Sequence, residues 1–427
     1  MQTVLAGYAG YILVIFGLLC LPWSQNGGSV SWLDNLFMAA SAVSTTGLGS
    51  VNTPEAYGFF GQVVLLLGIQ LGGLGYMTMG SFAILSSRGS ISQNRINIGR
   101  SVFAMPEDFD PAHFIRRVVV FSIGVEAVGA IALYFVFVVA EVEHPIWAAI
   151  FHSVSSFCTA GFSIFPDNLE SFRINGWVNA IISTLSLLGA VGFIVLSDFY
   201  NFVRHRTRKI TLTSKIILVA TFGGVGTGTI ALFFDHSISS LPVADRIGCA
   251  FFQSMSAMTT VGFNSIPIGG ISLASLMIVM VLMILGASPS GTGGGLKSTS
   301  WSAGLASAWS VARGRKETTF FGYKVPNYRI QAAFASFTLY LLVFAGGCFV
   351  LLLADRHKFE DVVFEVASGL GTVGLSRGIT GDLTAAGKFS MVILMYIGRV
   401  GVLSLGLAAL ERGECGEDKM IDDDIVI

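Results

Sequence analysis

The sequence predicts an all-α membrane protein in which four pseudo-symmetric helix–pore loop–helix repeats surround one central pore, with eight transmembrane helices and four re-entrant pore helices. Three observations predict it: a composition suited to lipid, a fourfold internal repeat, and an alternation of basic and non-basic connections. Of 427 residues, 53% are hydrophobic and 12% charged, with a mean hydropathy of +0.73. A soluble domain carries about 25% charged residues. Crossing the hydrocarbon takes about 20 apolar residues as a helix. Stretches of that length recur at 3–22, 115–140, 212–234 and 330–354, read as outer helices, and at 58–86, 177–203, 271–312 and 388–411, read as inner ones.

The first span has no charged n-region and no small-residue cleavage site after Pro22, so it reads as a retained helix and not as a removable signal peptide. Lysine and arginine concentrate in alternate connections: Arg88, Arg95, Arg100, Arg116 and Arg117; Arg204, Arg206, Arg208, Lys209 and Lys215; Arg313, Arg315, Lys316, Lys324 and Arg329. By the positive-inside rule these connections and both termini are cytoplasmic. The basic runs therefore report topology, not nucleic-acid binding. Cys20, Cys158, Cys249, Cys348 and Cys415 lack CxxC spacing and read as small thiols rather than disulfides or metal ligands. The six histidines (His113, His144, His152, His205, His236, His357) also lack ligand spacing and read as loop or interface residues.

Each non-basic connection carries Phe-x3-Ser-x3-Thr-x-Gly followed by Leu or Phe. The copies are Phe37/Ser41/Thr45/Gly47/Leu48, Phe151/Ser155/Thr159/Gly161/Phe162, Phe252/Ser256/Thr260/Gly262/Phe263 and Phe364/Ser368/Thr372/Gly374/Leu375. With 34 phenylalanines in the chain, three further matches at one offset arise by chance roughly once in two thousand, before Ser and Thr are counted. The repeats divide the chain into 1–99, 113–209, 210–316 (with a broken inner helix) and 326–412, leaving an acidic cytoplasmic tail over 413–427.

Within a copy, Phe, Ser and Thr fall at i, i+4 and i+8, one face of a short helix. The segments Trp32 to Ser44, Pro145 to Cys158, Pro242 to Thr259 and Phe359 to Gly371 are too short to span and read as re-entrant. Non-helical backbone at membrane depth persists only where protein or water satisfies it, so the Thr-x-Gly turns must face a central cavity. Glycine lets the backbone aim its carbonyls inward, and a ring of carbonyls replaces a cation's hydration shell. The helix C-termini add partial negative charge at the same centre. Candidate ion-binding residues are thus Thr45, Thr46, Gly47 and Leu48; Thr159, Ala160, Gly161 and Phe162; Thr260, Val261, Gly262 and Phe263; and Thr372, Val373, Gly374 and Leu375.

The segments "SAVSTTGLGSVNT", "SSFCTAGFSIF", "SAMTTVGFNSI" and "SGLGTVGLSRGIT" resemble the pore loops of the Trk/Ktr/HKT superfamily of potassium transporters, over nearly the whole chain and most like its KtrB membrane subunits. Four filter glycines, with no serine at Gly47, imply potassium as the transported ion and no organic cofactor. The resemblance further implies a homodimer in the plasma membrane, working with a cytoplasmic nucleotide-binding regulatory ring (KtrA/TrkA-like) encoded as a separate chain.

"GASPSGTGGGLKSTS", from Gly286 to Ser300, breaks the third inner helix, since glycine costs about 1 kcal/mol and proline about 3 relative to alanine in a helix. Its Gly-Gly-Gly-x-Lys core is similar to the family's intramembrane gate, which implies that role for Ser288, Pro289, Ser290, Gly291, Thr292, Gly293, Gly294, Gly295 and Lys297. A phosphate-loop reading fails because Leu296 separates Gly295 from Lys297 and no strand precedes the loop. Arg399, midway along the last inner helix, is a functional candidate as an intramembrane charge, and the family has an arginine there beside the gate. Glu126 and Asp198 are open between helix packing and ion coupling.

A membrane enzyme would need a nucleophile with a base or an HExxH-type pair, and the sequence has neither. A sodium- or proton-coupled secondary transporter with inverted repeats is the closer rival. It predicts broken helices in two pseudo-symmetric halves, whereas the sequence offers four like copies and one inner helix broken by a Pro/Gly-rich stretch.

Overall fold

The computed structural model describes residues 2–86, 111–204, 210–289, 291–315 and 317–402. Helix follows helix in a repeating order. First come α1 (Gln2–Leu19), α2 (Trp32–Val43) and α3 (Phe59–Ser86). Next are α4 (Pro111–Val139), α5 (Pro145–Phe157), α6 (Gly176–Val191) and α7 (Phe193–Val203). The third set is α8 (Leu212–Phe233), α9 (Val243–Thr259), α10 (Leu273–Leu285) and α11 (Ser298–Ala312). The last is α12 (Asn327–Ala354), α13 (Phe359–Gly371) and α14 (Ala385–Val400). Among the described residues, three segments are long and apolar enough to cross a membrane: Val118–Val139, Leu212–Phe233 and Asn327–Ala354.

The short helices α2, α5, α9 and α13 lie in the interior and the long ones surround them. The repeat residues Phe37, Phe151, Phe252 and Phe364 are fully buried, whereas the long helices expose Val128, Ile131, Phe135, Ile230, Leu342 and Phe349. Apolar side chains directed outward suit helices that face lipid tails rather than water. The sequence codes the helix starts locally. Ser31, Asn175, Thr211, Ser272 and Thr384 each cap the helix that follows, accepting a hydrogen bond from a backbone N–H of its first turn.

Two aspartates tie the ends of long helices to the starts of others. Asp235, just after α8, accepts from Ser272 N (3.0 Å) and Ser272 Oγ (2.7 Å) at the start of α10. Asp355, at the end of α12, accepts from Thr384 N (2.7 Å) at the start of α14. Burial pushes the Asp235 carboxyl up, but hydrogen bonds from Ser237, Ser275 and Ser272 outweigh it and hold the group well below the usual carboxylate range. Asp198 accepts from Thr211 Oγ1 and Ser214 Oγ, each at 2.6 Å, and so packs α7 against α8.

Two expectations need correction. The stretch 177–203 is not one helix: it breaks at Gly192, whose φ of 83° and ψ of 169° are open essentially to glycine alone. The third inner stretch is interrupted at 286–297 as expected, and α14 ends at Gly401 with φ 89°. Interruption is thus shared by at least two inner helices. The second departure is a small antiparallel hairpin, Thr319–Phe320 with Tyr323–Lys324, between α11 and α12. Residues 403–427, with the acidic tail and Cys415, lie outside the described residues. So do Arg88, Arg95, Arg100, His205, Arg206, Arg208, Lys209 and Lys316.

Candidate functional site

All four short helices end in the same way. The residue after each repeat threonine donates its N–H to the repeat serine's carbonyl: Thr46 to Ser41 (2.8 Å), Ala160 to Ser155 (2.8 Å), Val261 to Ser256 (3.1 Å) and Val373 to Ser368 (2.9 Å). The threonine itself turns left-handed, with φ of 52° at Thr45, 50° at Thr159, 58° at Thr260 and 47° at Thr372. The glycine two residues on does so again, at 84°, 65°, 79° and 97° for Gly47, Gly161, Gly262 and Gly374. A positive φ at a β-branched residue is unfavourable. Its recurrence in four copies shows that the surroundings enforce it.

These turns close on one another. A Cβ added at Gly47 would overlap the Ala160 carbonyl oxygen, one at Gly161 that of Val261, one at Gly262 that of Val373, and one at Gly374 that of Thr46. Each glycine therefore lies against the carbonyl of the next copy, and the fourth returns to the first. Thr45, Thr46, Leu48, Thr159, Ala160, Phe162, Thr260, Val261, Phe263, Thr372, Val373 and Leu375 are all buried around this ring. Ser155 and Ser256 donate to the Phe162 and Phe263 carbonyls (2.8 and 2.6 Å), and Gly374 N donates to Ser368 Oγ (3.0 Å), so in these three copies the repeat serine clasps its own turn, whereas Ser41 Oγ has no partner among the described residues.

The segment 286–297 lies against the ring. Thr292 Oγ1 meets Thr159 Oγ1 at 3.1 Å and donates to the Phe157 carbonyl at 3.1 Å. Gly294 N donates to Thr260 Oγ1 at 3.0 Å, and a Cβ at Gly294 would overlap Thr372 Oγ1. Ser288 N and Thr292 N donate to Ala190 and Gly189 carbonyls at the end of α6 (3.2 and 3.0 Å), and Ser288 Oγ donates to Val191 O at 2.7 Å. Gly291 packs against Ala190, and a Cβ at Gly295 would crowd Gly286. Lys297 Nζ donates to the Gly293 carbonyl at 2.8 Å. Pro289 sits in the turn, and Ser290 lies outside the described residues.

Arg399, 5% exposed, donates from Nη1 to the Thr292 carbonyl and from Nη2 to the Gly72 carbonyl at 2.6 Å. It thus joins the segment to α3, whose Gly72 carbonyl also accepts from Tyr8 Oη at 2.9 Å. Glu126 accepts from Gln70 Nε2 at 3.0 and 3.2 Å. Among the described residues, no group of three or more His, Cys, Asp or Glu could hold a metal ion.

Sequence reasoning missed several residues. His152 is not a loop or interface residue: it is fully buried in α5 and stacks on Phe165 with ring centroids 4.4 Å apart. Gly72, Gly189 and Gly398 were not singled out either. A Cβ on them would overlap the carbonyls of Val43, Phe157 and Leu370, each two residues before its repeat threonine. The available signal was a second glycine recurring at similar spacing after three of the Thr-x-Gly turns.

A many-helix apolar fold with four like turns meeting at one centre defines the class: a multi-pass membrane protein that transports cations. The chain belongs to the TrkH cation transport family, whose model, described as "TrkH: Cation transport protein", matches residues 13–415. It is 31% identical over 412 residues to the Ktr system potassium uptake protein B of Vibrio alginolyticus, covering 95% of this chain and 90% of the relative. It is 33% identical over 429 residues to the potassium/sodium uptake protein NtpJ of Enterococcus hirae, covering 97% and 94%. Its fold resembles the crystal structure of the potassium transporter TrkH from Vibrio parahaemolyticus, with a TM-score of 0.67, 19% identity, and 94% and 84% of the two chains covered.

Proposed function

We propose that this chain takes up potassium across the plasma membrane through a filter formed by the four Thr-x-Gly turns, with residues 288–297 and Arg399 as a gate beneath it. The observation that carries the reading is the cyclic closure of the turns, each filter glycine lying against the next copy's carbonyl. Backbone oxygens held at such a ring replace water around a cation without placing a formal charge there. The repeat boundaries are 1–99, 113–209, 210–316 and 326–412, giving eight spans and four re-entrant helices with both termini cytoplasmic. The gate reading is supported by the hydrogen bonds from the loop to Thr159 and Thr260 and by the Arg399 bridge to Gly72. Potassium is the substrate and no organic cofactor takes part.

By family, the chain forms a homodimer and works with a separate cytoplasmic nucleotide-binding ring of the KtrA/TrkA kind. Sodium- or proton-coupled transport is the second reading. The break at Gly192 favours it, because it removes the single-broken-helix argument against a secondary transporter. Rubidium and sodium flux into liposomes holding the chain alone separates the two. Rubidium uptake driven by its own gradient, without added sodium or a proton gradient, is the expected result, and a strict requirement for either ion gradient rejects passive conduction.

A further inference from the structure

We propose that Glu365 is a positioning residue that holds the extended segment leaving the fourth filter turn and thereby helps to set ion selectivity. This rests on the filter reading above. The residue after each repeat phenylalanine is Met38, His152, Gln253 or Glu365, and all four are fully buried. Two residues beyond each filter glycine stand Gly49, Ser163, Asn264 and Ser376. These two positions meet in the second and fourth copies and form a strut from the short helix to the extended segment that leaves the ring.

In the fourth copy the strut is threefold. Glu365 Oε1 accepts from the Ser376 hydroxyl and from Arg377 N (3.1 Å), and Oε2 accepts from Thr380 Oγ1 (3.1 Å). Ser376 Oγ in turn accepts from Gly378 N (2.9 Å) and meets Thr380 Oγ1 (2.9 Å). The Arg377 guanidinium is engaged elsewhere, with Asp361 at 2.5 Å, so the carboxyl serves the segment's backbone and hydroxyls and not that charge. In the second copy the strut is an imidazole: Nδ1 of His152 donates to the Ala148 carbonyl (2.8 Å) and Nε2 meets Ser163 Oγ (2.9 Å).

The other copies lack it. Met38 faces Gly49 with no polar group to offer. Asn264 turns to Glu170 (2.7 Å), leaving both amide atoms of Gln253 and the Ser265 hydroxyl buried without a partner among the described residues. A fully bonded buried network rigidifies the backbone it grips. A carbonyl ring that cannot contract loses contact with the smaller sodium ion, so the strut at Glu365 raises discrimination, and its removal lets the segment follow the smaller ion.

Rubidium and sodium flux into liposomes, measured on the full chain at matched protein content, tests this. Glu365→Ala is expected to lower the rubidium-to-sodium ratio about tenfold, the equivalent of 1.4 kcal/mol. Glu365→Gln keeps an acceptor for Ser376 and Arg377 and offers Thr380 an amide N–H, so it should stay within about twofold of the parent. The pair Ser376→Ala with Thr380→Val, which leaves the carboxyl in place, should lower the ratio about threefold and decides the matter if Glu365→Ala does not fold. Gly374→Ser is the reference for the filter itself. A shift in Gly374→Ser with parental ratios in the folded strut variants overturns the strut alone, and parental ratios in all of them overturn the filter reading too.

Discussion

At each of the four turns the backbone is left-handed at a threonine and again at a glycine, and the two positions demand different things. A non-glycine residue held in this region costs of order 1–3 kcal/mol, which Thr45, Thr159, Thr260 and Thr372 sustain because the turn hydrogen bonds and packing fix them. At Gly47 the limit is space as well as angle, because a Cβ would overlap the Ala160 carbonyl oxygen. Gly47→Ser should therefore displace that carbonyl and lower the potassium-to-sodium flux ratio by about tenfold or more, the scale set by an overpacking strain of 1–3 kcal/mol. A variant with the parental ratio would remove Gly47 from the filter. In the proposed gate Arg399 acts through its charge and through the two carbonyls it bonds. At about 6 Å and an effective dielectric near 20 a fixed positive charge repels a monovalent cation by roughly 3 kcal/mol. Arg399→Ala is expected to raise rubidium flux about a hundredfold at most, with little change in selectivity. Unchanged flux at equal expression would place the constriction elsewhere.

The interrupted helices set what the ring can do. The third inner helix stops at Leu285 because Pro289 and the glycines after it cannot continue it cheaply, and its loop is then free to bond the turns above. Gly291, Gly293 and Gly294 are positions where a side chain would strike Ala190, Thr260 or Thr372, so the loop depends on bare backbone to fit there. Removing Gly293 to Gly295 shortens it, breaks the Lys297 and Thr260 contacts, and should raise flux through the pore. Parental flux from a folded deletion variant would show that the loop does not limit conduction. The proline-marked break was legible in the sequence. The break at Gly192 was not, because a lone glycine costs only about 1 kcal/mol in a helix and its positive φ comes from the fold.

Across the whole molecule, first and last copies must meet for the ring to close. Gly374 against Thr46 closes it at the turns, and Lys388 Nζ with Asp34 Oδ1 at 2.8 Å, both largely buried, closes it between α14 and α2. The monomer thus contains a complete ring of turns, and the proposed dimer places two such rings side by side. Mass measurement of the detergent-solubilised protein is expected to give twice the chain mass. A monomer alone, at concentrations that preserve flux activity, would reject the dimer.

The sequence by itself determined the class, the number of copies and the turns. Those signals are local: apolar length, the spacing of Phe, Ser, Thr and Gly, and the proline and glycines of the loop are each written within a few residues. Three-dimensional packing decided which groups face each other across copies. That Arg399 bonds Gly72, that Gly374 closes on Thr46, and that His152 and Glu365 bond the segments after the turns all depend on residues from different segments meeting in the interior. There, most buried donors and acceptors pair with protein groups, and the choice among partners is made only when the chain is packed.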